Sequence, residues 1–147
     1  MKQKGITLVE LVIVMVIIAI VAVLMVPNIS AWLPNYRLRS ATRDIVSNLR
    51  FAQMKAVSNS MNYQVSFDVA GGNYILQLNT GGIWVNVGGT TTLPSGVSLN
   101  TTFTNPNHKA IFRGDSSSNG GSVVLQNSKG TQRTITVLFT TGKITIK

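Results

Sequence analysis

The sequence predicts an α+β protein in which one long N-terminal helix packs on a C-terminal antiparallel β-sheet domain. Three observations carry this prediction: an unbroken apolar run near the N-terminus, a helical spacing of apolar residues after it, and strand-like alternation with glycine turns beyond residue 60. The 147 residues suffice for one domain core. Because the helical region precedes all the short strands, the α and β parts are segregated along the chain.

The apolar run extends from Ile6 to Val26 and predicts a membrane-spanning helix. Its 21 residues would span about 32 Å, which matches the ~30 Å hydrocarbon core of a bilayer. A cleaved secretory signal is disfavoured, because its apolar core is usually ~7–15 residues long and ends at a small-residue cleavage site. Lys2 and Lys4 precede the run, and by the positive-inside rule they hold the N-terminus in the cytoplasm. A plain signal anchor is the alternative.

Glu10 is the one charged residue in the apolar run. A carboxylate inside a bilayer costs about 2.5–3.5 kcal/mol, and less near the end of the segment, so a lone acid there indicates a functional role. That role requires a cationic partner, and the run itself contains none. The alternative is an acid that stays hydrated at the level of the lipid headgroups.

The residues around this acid carry a family resemblance. The segment from Lys4 to Glu10 reads Lys-Gly-Ile-Thr-Leu-Val-Glu and resembles the class III signal of type IV pilins and type II secretion pseudopilins. The resemblance implies that a membrane prepilin peptidase cleaves after Gly5. It also implies N-methylation of the new first residue, Ile6, where phenylalanine is more common in the family. In such filaments Glu10 would face the N-terminal amine of a neighbouring subunit, which supplies the missing cation. Pro27 matches a family proline near the end of the apolar stretch and is expected to kink the helix.

A second helical pattern runs from Asn35 to about Ser60. Pro27 and Pro34 disfavour helix at the residue before each of them, so a kink or an interruption is expected between them. The apolar residues beyond them recur three or four positions apart and predict one buried face: Leu38, Ala41, Ile45, Leu49, Ala52 and Ala56. The other side carries basic residues: Arg37, Arg39, Arg43, Arg50 and Lys55. This basic run is either a solvated face or a surface for anionic lipid or nucleic acid.

After Ser60 the apolar residues alternate with a period of two, between glycine-containing turns. The alternation predicts seven or eight short antiparallel strands: Tyr63–Val69, Tyr74–Leu78, Ile83–Val87, Val97–Leu99, Ala110–Phe112, Ser122–Gln126, Thr131–Phe139 and Lys143–Ile146. The segment from Arg113 to Gly121 is rich in Ser, Gly and Asn, and we expect it to be a mobile loop.

The second part of the chain resembles the GspH/FimT branch of the same family. The matching features are Leu49-Arg50-Phe51-Ala52, Lys55-Ala56 and, more weakly, Phe112-x-Gly114, Gly121 to Leu125, Arg133 and Gly142-Lys143. Gln53 departs from the pattern, which usually has an arginine there. The branch implies a long helix packed on two antiparallel sheets. The expected divisions are a leader peptide (1–5), a transmembrane and filament-core helix (6–27), an amphipathic helix (28–60) and a periplasmic antiparallel β domain (61–147).

The sequence shows no catalytic constellation. It has no cysteine and a single histidine, which excludes zinc fingers, iron–sulfur clusters and cysteine catalysis. Four acidic residues spread along the chain are a poor basis for a paired-carboxylate hydrolase. His108 lies in a predicted loop without a motif partner, and no GxxxxGK[ST] phosphate loop occurs. We therefore expect no enzyme activity, no cofactor and no metal.

The chain is strongly basic. It has 13 Lys+Arg against four Asp+Glu, a formal net charge of +9, and loss of the two leader lysines would lower this to +7. Basic charge gives salt-dependent affinity for phosphate backbones. Some FimT-side members of the resembled family bind DNA and carry a C-terminal Gly-Arg-x-Arg, where this chain has Gly142-Lys143-Ile144-Thr145. DNA binding is therefore a second hypothesis, and its candidate contacts are Lys129, Arg133, Lys143 and Lys147.

Together these observations predict a structural, H-type minor pseudopilin of the type II protein secretion system, assembled into a short periplasmic pseudopilus after cleavage at Gly5. The expected partners are other pilin-like subunits through the N-terminal helix, the prepilin peptidase/methyltransferase and inner-membrane lipid, with exoprotein substrate or DNA as open candidates. The expected location is the bacterial inner membrane, with a single pass, a periplasmic C-terminal domain and incorporation into a pseudopilus or pilus. Two alternatives stay open: a FimT-like minor type IV pilin in pilus assembly or DNA uptake, and an unprocessed, signal-anchored periplasmic binding domain.

Overall fold

A computed structural model describes residues 5–103 and 108–147 of the chain, without the side chains of residues 24–31. Helix α1 (Leu8–Asn59) is 52 residues long. Nine strands follow it: β1 (Tyr63–Asp68), β2 (Asn73–Thr80), β3 (Ile83–Asn86), β4 (Thr91–Thr92), β5 (Val97–Thr101), β6 (Lys109–Phe112), β7 (Gly121–Asn127), β8 (Gln132–Val137) and β9 (Ile144–Ile146). The predicted order of one helical region and then strands is confirmed. The leader residues 1–4 lie outside the described residues.

The chain forms two compact units, one that ends at Leu33 and one that spans Pro34–Lys147. Helix α1 is continuous across both Pro27 and Pro34, so the expectation of an interruption between them was wrong. A proline removes one intrahelical hydrogen bond and crowds the carbonyl four residues before it. In a helix of 52 residues the remaining hydrogen bonds on either side are enough to continue it. The kink at Pro27 stays a prediction.

The helix ends at a local capping structure. Ser60 adopts a left-handed conformation with a φ of 50°, and the Met61 amide donates to the Ala56 carbonyl over 3.1 Å. The Ser60 amide donates to the Val57 carbonyl over 3.3 Å. These two bonds form a Schellman motif, which satisfies carbonyls left free at the helix end. A Cβ on Gly114 would lie 2.9 Å from the Ser60 backbone, so glycine is required where the β domain meets this turn.

The strands form two antiparallel sheets, as the family resemblance implied. The first sheet has the order β3-β2-β1-β6 with β4 also paired to β2, and the second has the order β5-β7-β8-β9. Strand β4 was not predicted, because its two residues are too few to show alternation. It exists through its pairing with Asn73 and Tyr74 of β2.

One hydrophobic core joins the helix to both sheets. All six apolar positions predicted for the buried helix face are exposed by 1% or less: Leu38, Ala41, Ile45, Leu49, Ala52 and Ala56. The inward residues of the strands complete this core, among them Val65 and Phe67 of β1, Val123 and Leu125 of β7, and Ile135 and Val137 of β8. Along β6, β7 and β8 the alternation has its predicted cause, which is burial of every second side chain. Strand β1 instead buries Tyr63, Gln64 and Val65 in succession, and β3 buries none of its side chains.

The segment between β6 and β7 differs from the mobile loop that its composition predicted. Ser118 is fully buried and bridges with Phe112, while its Oγ donates to the Leu138 carbonyl over 3.0 Å. Asn119 donates from Nδ2 to the Lys109 carbonyl over 2.7 Å and accepts the Ile111 amide at Oδ1 over 2.9 Å. The segment therefore ties the first sheet to the end of β8. Small polar residues serve here because they bond to backbone on both sides within a narrow space.

Candidate functional site: the N-terminal helix and a basic surface

Thr7 is the N-cap residue of α1. Thr7 immediately precedes the helix, and its Oγ1 accepts a hydrogen bond from the Glu10 amide over 3.3 Å. The Leu11 amide donates to the Thr7 carbonyl over 3.2 Å. Thr-x-x-Glu is the sequence form of this cap, and an acid in the first turn also interacts favourably with the helix dipole. Thr7 was missed as a site residue, although the Thr7–Glu10 spacing is a signal that could have identified it.

The side chains of residues 5–23 are all exposed. Ile6 is 77% exposed and Val23 73%, and the large apolar residues between them range from 43% at Val21 to 78% at Leu8. A continuous apolar surface of this kind marks a contact with another protein or with lipid. Within the described residues, no helix meets the combined length and apolarity of a membrane span.

The predicted processing and assembly residues lie at the start of this segment. Gly5 and Ile6 precede the helix, and Glu10 lies in its first turn. A Cβ on Gly5 would meet nothing within 4 Å, so nothing in the described fold requires glycine there. Pro27 lies inside α1, and its side chain is outside the described residues.

The four candidate DNA contacts do not form one cluster. Arg133 lies on β8 with Ile135 on the helix side of the sheet, and it lines a pocket with Asn35 and Arg39. Lys143 and Lys147 flank β9, and Lys129 lies in the turn between β7 and β8. The Lys147 amide and carbonyl are both bonded to Thr134. Because residues alternate across a strand, Lys143 and Lys147 face away from the side that Arg133 occupies.

The structure assembles a different basic surface, along the exposed side of α1. Arg39 and Arg43 line one groove with Tyr36, and Arg43 and Arg50 line a second groove with Ile146 of β9. We call Arg39, Arg43, Arg50 and Arg133 the arginine row. The helical part of this row was evident from sequence spacing. Its meeting with Arg133 and β9 was not, because those residues are about 100 positions away.

Three ionisable side chains outside the N-terminal segment have displaced pKa values. The pKa of Asp68 lies below its usual 3.8, because the Gly71 amide and then the Asn73 side chain donate to its carboxylate. The Asp115 pKa is lowered by hydrogen bonds from Ser117, while burial and then the charge of Asp44 raise the pKa of Tyr74. Asp68 ends β1 beside a turn, Asp115 lies in a turn and Tyr74 lies in the core, so these shifts reflect folding.

Among the described residues, no group of three His, Cys, Asp or Glu side chains could hold a metal ion. The Nδ1 atom of His108 lies 2.7 Å from Thr101 Oγ1, and the described contacts give this histidine no acidic partner. The chemistry that the arrangement offers is non-covalent: apolar contact through the start of α1 and anion binding through the arginine row.

Two protein families match the sequence. The prokaryotic N-terminal methylation motif matches residues 1–26, and Type II transport protein GspH matches residues 41–141, which is more than half of the chain. Comparison with curated protein sequences gives no significant match.

Several solved structures share the fold. The minor pseudopilin EpsH from the type 2 secretion system of Vibrio cholerae superposes with a TM-score of 0.66 at 13% identity, over 76% of this chain and 96% of that chain. The type IV minor pilin FimU of Pseudomonas aeruginosa gives a TM-score of 0.63 at 12% identity, over 77% and 90% of the two chains. The solution structure of Escherichia coli GspH gives 0.60 at 12% identity, over 77% and 89%. At these identities the likeness establishes the fold alone.

Proposed function

The chain belongs to the GspH family of type II transport proteins, and on that premise we propose that it is a structural, H-type minor pseudopilin of the type II protein secretion system. The observation that carries the proposal is the presence of both family matches on one chain. The methylation motif covers residues 1–26 and the GspH match begins at residue 41. The role is one of assembly, without catalysis.

The N-terminal helix is the proposed assembly element. Cleavage after Gly5 leaves Ile6 as a methylated N-terminus, and the exposed apolar side chains of residues 6–23 then pack against other pilin-like subunits. Glu10 pairs with the N-terminal amine of a neighbouring subunit. A charge pair inside an apolar bundle is better evidence for a unique register than for stability, because desolvation offsets most of the attraction.

The N-cap supports this role of Glu10. Thr7 Oγ1 accepts the Glu10 amide, which fixes the backbone of the first helical turn. The helix dipole lowers the cost of an acid at this end before any partner binds. Both effects favour a helix start that presents Glu10 to an amine from another subunit.

The proposed location follows from the anchor. Residues 6–27 cross the inner membrane once, with the leader in the cytoplasm and the C-terminal β domain in the periplasm, and the processed chain joins a pseudopilus. The prepilin peptidase/methyltransferase is the proposed processing partner, and inner-membrane lipid is the environment before assembly. The apolar run in the sequence and the methylation motif support this location.

The function is tested by deletion of the gene in the native host, followed by assay of exoproteins in the culture supernatant. We expect secretion to collapse while type IV pili and DNA uptake persist. Re-expression of the wild type restores secretion and gives a mature chain that begins at N-methylated Ile6, as measured by mass spectrometry. Normal secretion in the deletion strain would contradict the proposal, and a mature chain that retains Met1 would favour the signal-anchored alternative.

Glu10 is tested in the same strain. Glu10→Gln removes the charge with little change of shape, so we expect processed protein that fails to enter filaments, measured by cross-linking to other pilin-like subunits. Glu10→Asp keeps the charge and should restore part of the assembly. If Glu10→Gln enters filaments as well as the wild type does, the register role of Glu10 is wrong.

A minor type IV pilin that binds DNA is the second candidate. The arginine row and the net charge of +9 favour it. Two results together would support this candidate over the first. The full chain would bind duplex DNA at ~50 mM salt, and the deletion strain would lose DNA uptake but keep secretion. Lys129, Arg133, Lys143 and Lys147 remain proposed contacts for it.

A further inference from the structure

Strand β9 (Ile144–Ile146) forms one edge of the second sheet. Within the described residues, the backbone hydrogen bonds of residues 143 and 147 go to β8 and to the residue that follows it: the Leu138 amide donates to the Lys143 carbonyl, and Thr134 and Lys147 exchange two bonds. In an antiparallel pair, the backbone groups of successive residues point to alternate sides. Those of residues 143, 145 and 147 therefore face β8, and those of Ile144 and Ile146 face outward. Two amides and two carbonyls are thus presented along an open edge.

The arginine row lies beside this open edge. Ile144 and Ile146 pair with Val137 and Ile135, so their side chains lie on the helix side of the sheet. Arg43 and Arg50 line a groove with Ile146 on that side. An added strand would place the residues opposite Ile144 and Ile146 about 6.8 Å apart, with their side chains toward the same groove. Carboxylates at those alternate positions would meet the arginines.

Arginines of the row are available for an added strand. No hydrogen bond or ion pair joins Arg39, Arg43 or Arg50 to another side chain within the described part of the chain. By contrast, Arg37 is held by the Ser95 carbonyl and hydroxyl at 3.0 Å. Guanidinium groups without internal partners bind external carboxylates in a planar, two-bond geometry.

A second copy of the chain is a poor occupant of this site. The chain has four acidic residues, of which Glu10 lies in the apolar run and Asp44 already lines a groove with Arg39 and Arg43. Asp68 and Asp115 are engaged by hydrogen bonds in their own turns. Two copies would therefore bring together basic surfaces with few carboxylates between them. Lys143 and Lys147 also flank β9. Lysines at an edge strand disfavour its pairing with the edge strand of a second copy, which carries the same charge.

We propose that the open edge of β9 and the adjoining arginine row form a docking site for an extended acidic segment of another protein, which adds as a strand to the second sheet. Backbone hydrogen bonds to Ile144 and Ile146 provide part of the affinity, and acidic residues at alternate positions provide specificity. The proposal does not depend on a role in secretion. Peptide binding and exoprotein secretion are measured in separate experiments, and either can fail without the other.

The test uses the full chain in detergent micelles and a synthetic peptide of about seven residues that alternates aspartate and valine. Binding is measured by fluorescence anisotropy at ~50 mM salt, where charge attraction is strong. Ile146→Pro removes an outward amide that β8 does not use, and edge strands tolerate such prolines. Ile146→Val keeps the amide and is its matched control. The Arg43→Gln/Arg50→Gln double variant removes charge from the groove, and Lys109→Gln in the first sheet is a control for charge.

We expect Ile146→Pro and the arginine double variant each to weaken peptide binding at least about tenfold, while Ile146→Val and Lys109→Gln bind as the wild type does. Hydrogen exchange at the Ile144 and Ile146 amides should slow when the peptide binds. Thermal unfolding of each variant confirms that it is folded. The proposal is wrong if the peptide does not bind, or if all variants bind it with equal affinity. It is also wrong if duplex DNA competes with the peptide and still binds to the Ile146→Pro variant.

Discussion

Two features of the structure require glycine at position 142: its backbone conformation in a turn and the atoms packed around it. It adopts a φ of +59°, and a Cβ there would lie 2.9 Å from the Ser116 carbonyl oxygen and 2.8 Å from Gln53 Nε2. Gln53 in turn donates to the Thr141 carbonyl over 3.2 Å. Glycine at position 142 therefore allows the turn before β9 to approach Gln53 of the helix closely, whatever its neighbouring lysine binds.

Gly142→Ala should destabilise the β domain more than Gly72→Ala. Both positions have left-handed backbone, which costs an alanine about 1–2 kcal/mol, but Gly72 has open space around its Cβ position. The contact with the Ser116 oxygen should add at least about 1 kcal/mol at Gly142. Urea unfolding of both variants measures the difference, and equal losses would show that the close contact relaxes without cost.

The hydrogen-bonded carboxylate of Asp68 should make the stability of the protein sensitive to acid. Its pKa is lower in the folded chain, so the charged carboxylate stabilises the fold above about pH 3.8, and this contribution is lost as the pH falls through the folded pKa. Asp68→Asn should therefore lower stability at pH 7 and flatten the loss below pH ~4. Asn73→Ala, which removes one donor, should show a smaller version of the same change. Urea unfolding at pH 7 and pH 3 tests this, and an unchanged slope in Asp68→Asn would contradict it.

At the scale of elements, α1 is one continuous helix with two different patterns of side-chain burial. Its first part exposes apolar side chains on all sides, whereas from Leu38 onward one face is buried against the sheets. The second part is stabilised by tertiary packing, as is usual for amphipathic helices. In the first part, residues 5–23 have no buried side chain within the described part of the chain.

Leu49→Ala should destabilise the β domain by about 2–5 kcal/mol, because Leu49 is fully buried at the centre of the helix face. Met54→Ala on the same helix should cost less than about 1 kcal/mol, because Met54 is 57% exposed. Thermal unfolding of the two variants measures the contrast. Similar losses of stability in Leu49→Ala and Met54→Ala would mean that packing against the sheets does not distinguish the two faces of the helix.

At the scale of the whole molecule, the core belongs to one unit. All its buried apolar residues lie between Leu38 and Val137, within the unit Pro34–Lys147. The related EpsH structure matches 96% of its own length to 76% of this chain. The unit Pro34–Lys147 thus has a complete core without residues 1–33.

A chain truncated before Pro34 should fold and unfold cooperatively, with a denaturation midpoint in urea close to that of the β domain in the full chain. The truncated chain should also stay in solution without detergent, because it lacks the apolar segment. Circular dichroism during urea unfolding tests this. A truncated chain without cooperative unfolding would show that the first 33 residues are needed for the fold.

Much of the fold could be predicted because its signals are local. The apolar spacing from Leu38 to Ala56 identified the buried helix face, and alternation identified eight of the nine strands. Local composition failed at Ser118, which is buried within a polar segment expected to be mobile. It also failed to exclude a continuous helix through Pro27 and Pro34, so the interruption was wrong, whereas the kink stays a prediction.

The sequence by itself determined the methylation motif, the apolar residues in the first part of α1, the amphipathic helix face and the order of the strands, because each depends on residues within a few positions of one another. Only the tertiary structure decided that Arg43 and Arg50 share a groove with Ile146, that β9 is an open edge, and that Ser118 joins two sheets. The groove and the Ser118 contact depend on residues about 100 and about 20 positions apart, and the open edge depends on which strands pair. Such contacts follow from the way in which all the elements bury their apolar faces together, and no local pattern encodes them.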